Sequence, residues 1–197
     1  MPEPPPPIRA IIGPNGAGKS TAALRILHQH AGIDDFVNAD AIAAGLSAFR
    51  PEGVALEAGR IMLSRLRDLA AARRSFAFET TLGSRTFAPW LSGLIADGYR
   101  FHLVFLWLPS AEMAVQRVAR RVQLGGHSVP PDDIRRRYER GLNNLFELYM
   151  PLAHRWTILN TAPDGDPTLI AAGSGNRPDR IADAQTWGTL SLRTRKP

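Results

Sequence analysis

At 197 residues the chain is long enough for one domain of ordinary size and too short for two comfortable ones. Hydrophobic residues make up 44% and charged residues 21%, close to soluble globular averages, which excludes wholesale disorder, a collagen-like repeat and a coiled coil. The net charge is +6, and all but two of the 24 basic residues are arginine, the exceptions being Lys19 and Lys196. Arginine's planar fork suits phosphate on a nucleotide or a nucleic acid. A GC-rich genome that writes arginine for lysine would give the same bias, so charge alone assigns no function. Without cysteine there is neither a disulfide framework nor thiolate chemistry. No apolar run reaches the roughly 18 residues of a membrane span. Met1 to Pro7 is Pro-rich and lacks a basic region followed by an apolar stretch, so no secretory signal is read there and a cytoplasmic location is expected.

Residues 1–7 read as a mobile lead-in to a single domain over 8–197. Ile8 to Ile12 is a β-branched strand running into a glycine-rich turn, and Ser20 to His30 is a helix. A brief strand at Phe36 to Asn38 precedes a small helix opening near Asp40. Pro51 suits a helix start, and Val54, Ala58, Ile61, Met62, Leu66 and Leu69 recur at helical spacing. Ser75 to Phe78 is a third strand, Thr86 to Ala96 a helix, and Arg100 to Leu108 a fourth strand, apolar on both faces as in a buried parallel sheet. Ser110 caps a helix over Ala111 to Leu124, which Gly125 and Gly126 end. A second basic helix runs from Pro131 to about Tyr149, and Trp156 to Leu159 is a fifth strand. One more short strand near Leu169 and a helix near Arg180 to Trp187 complete the expectation. Strand and helix alternate, so the fold class is α/β, a five-stranded parallel sheet with helices on both faces.

Gly13-Pro14-Asn15-Gly16-Ala17-Gly18-Lys19-Ser20 fits G-x-x-x-x-G-K-[ST], the Walker A phosphate loop, and Thr21 follows it into the helix. Glycines let backbone N–H groups curl around phosphates, and the helix N-terminus adds positive potential. Lys19 is placed to reach the β- and γ-phosphates of ATP, and Ser20 to hold Mg²⁺. A transporter-type ATPase requires an apolar strand ending in an acid and a second signature. The strand Phe101 to Leu108 ends in Pro109, and Leu91-Ser92-Gly93-Leu94 lacks that signature's second glycine and the glutamine after it.

Two other strands lead to acids on the rim that holds the phosphate loop, where open α/β sheets bind ligands. Asp40 is the candidate general base for an acceptor hydroxyl, favoured over the alternative of a helix N-cap before Ala41, with which it can coexist. Glu79, with Thr80 and Thr81, suits substrate hydroxyls or a Mg²⁺-bound water, and equally a polar loop. Arg117 and Arg121 share a helical face. Beyond Gly125-Gly126-His127-Ser128-Val129-Pro130 follow Arg135, Arg136, Arg137 and Arg140. Two arginine-bearing helices joined by a glycine hinge, over about 117–140, suit a lid that closes on phosphates. Arg120, Arg135 and Arg140 fit a solvated basic face as well.

Together GPNGAGKST (13–21), FVNAD (36–40), AGRIML (58–63), FAFETTL (76–82), RVARRVQLGGHSVP (117–130) and RRRYERGLNNL (135–145) resemble the zeta toxin family of P-loop kinases, especially its short bacterial members. The resemblance spans roughly Ile8 to Asn160. It implies a P-loop kinase fold and MgATP-dependent phosphorylation of a sugar nucleotide, with UDP-N-acetylglucosamine the leading acceptor. It also raises an antitoxin protein as partner, whereas nucleic acid and membrane are not expected. By resemblance, Lys19 matches the phosphate-loop lysine, Asp40 the catalytic base that meets the acceptor, and Glu79, with Thr80 beside it, the acid that holds the sugar. Arg121 and Arg136 would serve at the γ-phosphate, with Arg117 and Arg137 on the substrate. The rival readings are another small-metabolite or polynucleotide kinase, and a nucleotide-dependent ATPase switch or nucleic-acid-binding module.

Overall fold

The computed structural model describes residues 5–28, 33–48, 50–162 and 166–193. Strand β1 (Pro7–Ile12) is the middle one of the five parallel strands, and Ile8, Ala10, Ile11 and Ile12 are fully buried. It pairs in parallel with β3 (Phe76–Thr80) on one side and β4 (Arg100–Trp107) on the other. Beyond these lie β2 (Asp35–Val37) and β5 (Arg155–Asn160), also parallel. All five strands therefore end on one rim. The expected five-stranded parallel sheet is present but incomplete as a description: β6 (Thr168–Ser174) and β7 (Arg177–Ile181) extend it antiparallel, giving seven strands in the order β2-β3-β1-β4-β5-β6-β7. Arg180, expected to open a helix, lies in β7, and the last helix starts four residues later. β7 is exposed at every position and carries Pro178. Such a charged strand with proline is tolerated at an edge but shows no hydrophobic alternation to announce it.

The helices are α1 (Lys19–His28), α2 (Ala39–Leu46), α3 (Ala55–Ala71), preceded by a 3₁₀ turn at Pro51–Val54, α4 (Phe87–Ala96), α5 (Ala111–Gln123), α6 (Pro131–Asn144) and α7 (Ala184–Arg193). The last two residues of the expected first helix, and residues 1–4 of the lead-in, lie outside the described residues; Pro7 already pairs with Arg100 in the sheet. Leu91 to Leu94 sit inside α4 with Leu91 fully buried, as an ordinary packing stripe. Ser110 caps α5 by accepting from the Met113 N–H at 3.1 Å. At the other end Gly125, at φ 87°, allows Gly126 N–H to reach the Arg121 carbonyl at 2.9 Å and Gly125 N–H to reach that of Val122 at 3.0 Å. This is the Schellman closure of a helix. The tail belongs to the core: Trp156 of β5 stacks on Trp187 of α7 at 5.5 Å, and Ile170, Ala171 and Leu190 are buried. No helix among the described residues is long and apolar enough to cross a membrane.

The basic helix α6 is anchored, not loosely laid on the surface. Ile134, Tyr138 and Leu142 are buried, and the Tyr138 hydroxyl donates to the Leu108 carbonyl at 2.7 Å. Arg135 grips Glu112 of α5 through two hydrogen bonds of 2.7 and 3.1 Å. The helix then loosens into a π-helical turn, Leu145–Tyr149. Asn144 donates to the Leu82 carbonyl at 2.6 Å, and Tyr149 to that of Ser84 at 3.0 Å. A Cβ on Gly141 would stand 2.5 Å from the Thr81 carbonyl oxygen. This contact fixes the 80–84 segment against the helix. Gly141→Ala is therefore expected to destabilise the fold by about 1–3 kcal/mol, as overpacking does, and thermal unfolding measures it.

Candidate active site

The phosphate loop leaves β1, in the middle of the five parallel strands, and enters α1. Gly13 N–H donates to the Thr80 carbonyl at 3.3 Å, tying the loop to the end of β3. Gly16, at φ 79°, lies so close to α5 that a Cβ would meet the Ala114 carbonyl oxygen and the Arg117 Cβ, each at 3.0 Å. Only glycine fits both requirements. Ala17 is buried beneath the loop, whereas Gly18 and Thr21 face solvent. Asn15 is buried and its Oδ1 has no hydrogen-bond partner.

Lys19 Nζ donates to the Pro14 carbonyl at 3.1 Å and sits 3.5 Å from Glu79 Oε1. Both side chains are less than a tenth exposed. Burial pushes the Lys19 ammonium below the usual lysine range, the nearby Glu79 and Asp40 carboxylates oppose that, and Arg121 adds to it. Four charges thus act as one cluster. Glu79 lies within β3, which continues past the expected end at Phe78 to Thr80. Its Oε2 accepts from Ser20 Oγ at 2.8 Å and from Asn38 Nδ2 at 2.7 Å. Thr80 turns inward locally, its Oγ1 accepting from Leu82 N–H at 3.2 Å. Ser20 Oγ and Glu79 offer hard oxygen donors at one point beside the phosphate loop, the type Mg²⁺ takes together with nucleotide phosphates. Among the described residues no group of three or more His, Cys, Asp or Glu side chains forms a separate metal cage.

Asp40 is not the helix cap. Asn38 holds that position, its Oδ1 accepting from the backbone N–H of Asp40 at 2.7 Å and of Ala41 at 3.3 Å. The Asp40 carboxylate lies in the first turn of α2, about half exposed and not used in capping, with Oδ2 3.6 Å from His127 Nε2. It borders three adjoining clefts. One, of about 930 Å³, includes Ser20, Asp35, Arg65, Arg121 and His127. A second, of about 520 Å³, includes Asn15, Lys19, Glu79, Thr80, Thr81 and Arg137. A third, of about 360 Å³, runs under His127 to Pro130 and also reaches Arg137.

The arginines separate. Arg121 donates to the His127 carbonyl at 3.0 Å, contacts His127 Nε2 at 3.3 Å, and has a buried Nε without a partner. Arg117 packs against Gly16 and donates to the Ala162 carbonyl at 2.9 Å. Arg137 lies against Gly83 and borders two of the clefts beside Asp40. Arg136 is exposed, pairs with Asp133 at 2.7 Å and borders none of these three clefts. The structure therefore brings Lys19, Ser20, Asp40, Glu79, Thr80, Arg121 and Arg137 to one rim, places Arg117 behind the phosphate loop, and leaves Arg136 outside. Sequence reading passed over Asn38 and His127. Asn38 carried a signal, an amide two residues ahead of Asp40 where a strand meets a helix; His127 carried none beyond its place in the glycine-rich joint.

A family model described as an AAA domain matches residues 9–141. The chain belongs to the AAA domain family. An uncharacterized protein of Haemophilus influenzae is 28% identical over 126 residues, covering 64% of this chain and 88% of that protein. Among solved structures, an AvrRxo1-ORF1:AvrRxo1-ORF2 complex with sulphate ions matches with TM-score 0.71 and 17% identity, over 94% of this chain. This chain covers 63% of the AvrRxo1 chain it matches. A chain of the PezAT chromosomal toxin–antitoxin system of Streptococcus pneumoniae matches with TM-score 0.62 and 16% identity, over 98% of this chain and 85% of that one. A gluconokinase from Sinorhizobium meliloti 1021 matches with TM-score 0.53 and 18% identity, over 81% and 84%. At such identities the likeness is one of fold, a P-loop kinase-like α/β domain, which is what the resemblance to zeta toxins implies.

Asn38 offers a separable test of the site. Serine keeps the cap but loses the amide donor to Glu79. Asn38→Ser is expected to lower stability by about 1–3 kcal/mol, because it leaves the buried Glu79 carboxylate one donor short, and to weaken ATP binding in the presence of Mg²⁺ about tenfold, the scale of one hydrogen bond to a charged group. Calorimetric titration against thermal unfolding separates the two effects.

Proposed function

We propose that this AAA domain protein is an ATP-dependent phosphotransferase acting on a hydroxyl of a small molecule, a sugar nucleotide such as UDP-N-acetylglucosamine being the acceptor to try first. The observation that carries the reading is the position of Asp40. Its half-exposed carboxylate stands beside His127 where the clefts around the phosphate loop meet, in one charge cluster with Lys19 and Glu79. Support for ATP comes from the phosphate loop itself and from the fold likeness to an AvrRxo1-ORF1:-ORF2 structure with ATP, at TM-score 0.69.

On this reading, residues 13–21 wrap the triphosphate with backbone N–H groups, and Lys19 leaves the Pro14 carbonyl for the phosphates. Ser20 and Glu79 would hold Mg²⁺, which supplies charge neutralisation at the phosphates when bound. Asp40 accepts the acceptor's proton as its oxygen bonds to the γ-phosphorus and the bond to the ADP oxygen breaks. Arg121 and Arg137 stabilise charge on the transferring group, and Arg117 holds the nucleotide side of the loop. Arg136 would join them only by leaving Asp133. Because α5 and α6 are anchored, closure belongs to the joint between them, residues 124–130. A protein partner of antitoxin type suits the same reading, as PezAT is a toxin–antitoxin system.

Incubation with MgATP and a sugar-nucleotide panel, read by mass spectrometry, should show a gain of about 80 Da, one phosphoryl group. Release of free phosphate alone would instead mark an ATPase switch. Asp40→Asn is expected to slow transfer by roughly 10²- to 10⁴-fold, the range for a lost general base. Its stability should match wild type, because Asn38 carries the cap; full activity in this variant would remove Asp40 from the chemistry. Gly126→Pro abolishes the N–H bond to Arg121 and should impair transfer with ATP affinity kept. Hydrogen exchange across 122–131 that is slow and indifferent to nucleotide would discard the closing joint.

A further inference from the structure

Behind the wall of the catalytic cleft lies a fourth cleft, of about 630 Å³, lined by the 83–85 turn and by Arg140, Asn143, Asn144 and Glu147. Every one of these residues is polar or glycine. Ser84 borders this cleft and the one holding Lys19, Asp40 and Glu79, so the two adjoin along the 80–84 segment. Neither the Arg85 nor the Arg140 guanidinium makes a hydrogen bond or an ion pair among the described residues, whereas the nearby Arg135 and Arg136 are both held by carboxylates. The wall is built to keep its shape. Leu82 sits at φ 54°, a strained conformation for a leucine, and is held there by Thr80 Oγ1 on its N–H and Asn144 on its carbonyl. Tyr149 pins the Ser84 carbonyl.

We propose that this cleft is a subsite for an anionic group of the acceptor, a phosphate or a carboxylate, gripped between Arg85 and Arg140. The inference rests on the phosphotransferase reading and narrows its substrate class to anionic hydroxyl compounds. Guanidinium forks bind both kinds of anion in two-point fashion. Glu147, in the same lining, selects an acceptor that carries a hydroxyl or N–H donor beside its anionic group. A neutral sugar would reach Asp40 but leave two arginines unmatched.

The test uses the full chain saturated with ADP, so that the phosphate loop cannot capture the probe. Wild type and an Arg85→Gln/Arg140→Gln variant are titrated calorimetrically with UDP-N-acetylglucosamine, gluconate and uncharged N-acetylglucosamine. Both substituted residues are exposed, so folding and ADP affinity should be unchanged. At least one anionic probe is expected to bind wild type and to bind the variant at least tenfold more weakly, with the loss shrinking at high salt; N-acetylglucosamine should not distinguish them. Which anion binds tells phosphate from carboxylate. Equal binding of the anions to both proteins, or no binding of either to wild type, overturns the subsite. In a parallel incubation with MgATP in place of ADP, anion-selective binding with no phosphorylated product would reject the phosphotransferase reading and leave the subsite standing, whereas undiminished product formation by the variant would reject the subsite alone.

Discussion

The Glu79 carboxylate sits at the end of β3, less than a tenth exposed, and an anion in that position must be matched by its surroundings. Removing a carboxylate from water costs several kcal/mol unless opposite charge and hydrogen bonds replace the water. Here an ammonium, a hydroxyl and an amide do so, from Lys19, Ser20 and Asn38. Those three groups come from the start of α1 and the turn between β2 and α2. One buried charge therefore sets the relation of the phosphate loop to the turn that carries Asp40. The sheet supports the arrangement: Ile11 of β1 is directly in register with Glu79, so the loop leaves β1 one residue beyond that pairing's neighbour. Asn38 completes the link because its amide is used at both ends, on Glu79 and on the backbone of Asp40.

A second constraint acts on the other side of Glu79. The chain from Thr80 to Ser84 passes through a strained leucine, and such a residue costs of order 1–3 kcal/mol unless its surroundings hold it. Helix α6 and the π-helical turn after it provide the hold through Gly141, Asn144 and Tyr149. A π-helical turn is uncommon and tends to occur where a helix must present side chains out of ordinary register. In this chain it follows directly on Asn144 and ends at Tyr149, the two residues that reach back to the segment. The segment separates the cleft of Asp40 from the cleft of Arg140, so helix packing and the division of the site are one structural fact.

The parallel half of the fold was legible because its strands are apolar and its helices keep their period. β4 and α5 fell within a residue of expectation, Ser110 cap included. The strand expected near Leu169 is present as β6, but its antiparallel pairing and its partner β7 were not legible. Thr168–Ser174 is small and weakly patterned, and Arg177–Ile181 is a polar edge whose strand character comes from its pairing partner. At the site, Lys19, Asp40 and Glu79 could be placed on one rim from strand ends alone. The alternative of a cap at Asp40 falls to Asn38 instead, because both residues suit a cap and only the backbone geometry chooses between them. Arginine roles were the least readable, since seven candidates within 117–140 differ only in what each happens to face.

That difference follows from the neighbours and not from the arginines. Arg135 and Arg136 have aspartates three residues before them on the same helix, and Arg135 also meets Glu112 across the helix pair. Glu112 in turn is held below the usual carboxylate range by hydrogen bonding to Arg135. Arg135 thus braces α5 against α6, whereas Arg136 is held within α6. Arg121 has no carboxylate of its own; it bonds to the carbonyl and ring of His127, in the joint that follows its helix. The same His127 nitrogen stands 3.6 Å from Asp40. An imidazole nitrogen can donate or accept but not both at once, so Arg121 and Asp40 compete for it. On the phosphotransferase reading, an acceptor or nucleotide in the cleft between them would relieve that competition, and the 124–130 joint, lying between helices that Arg135 and Tyr138 anchor, is where the relief would be felt.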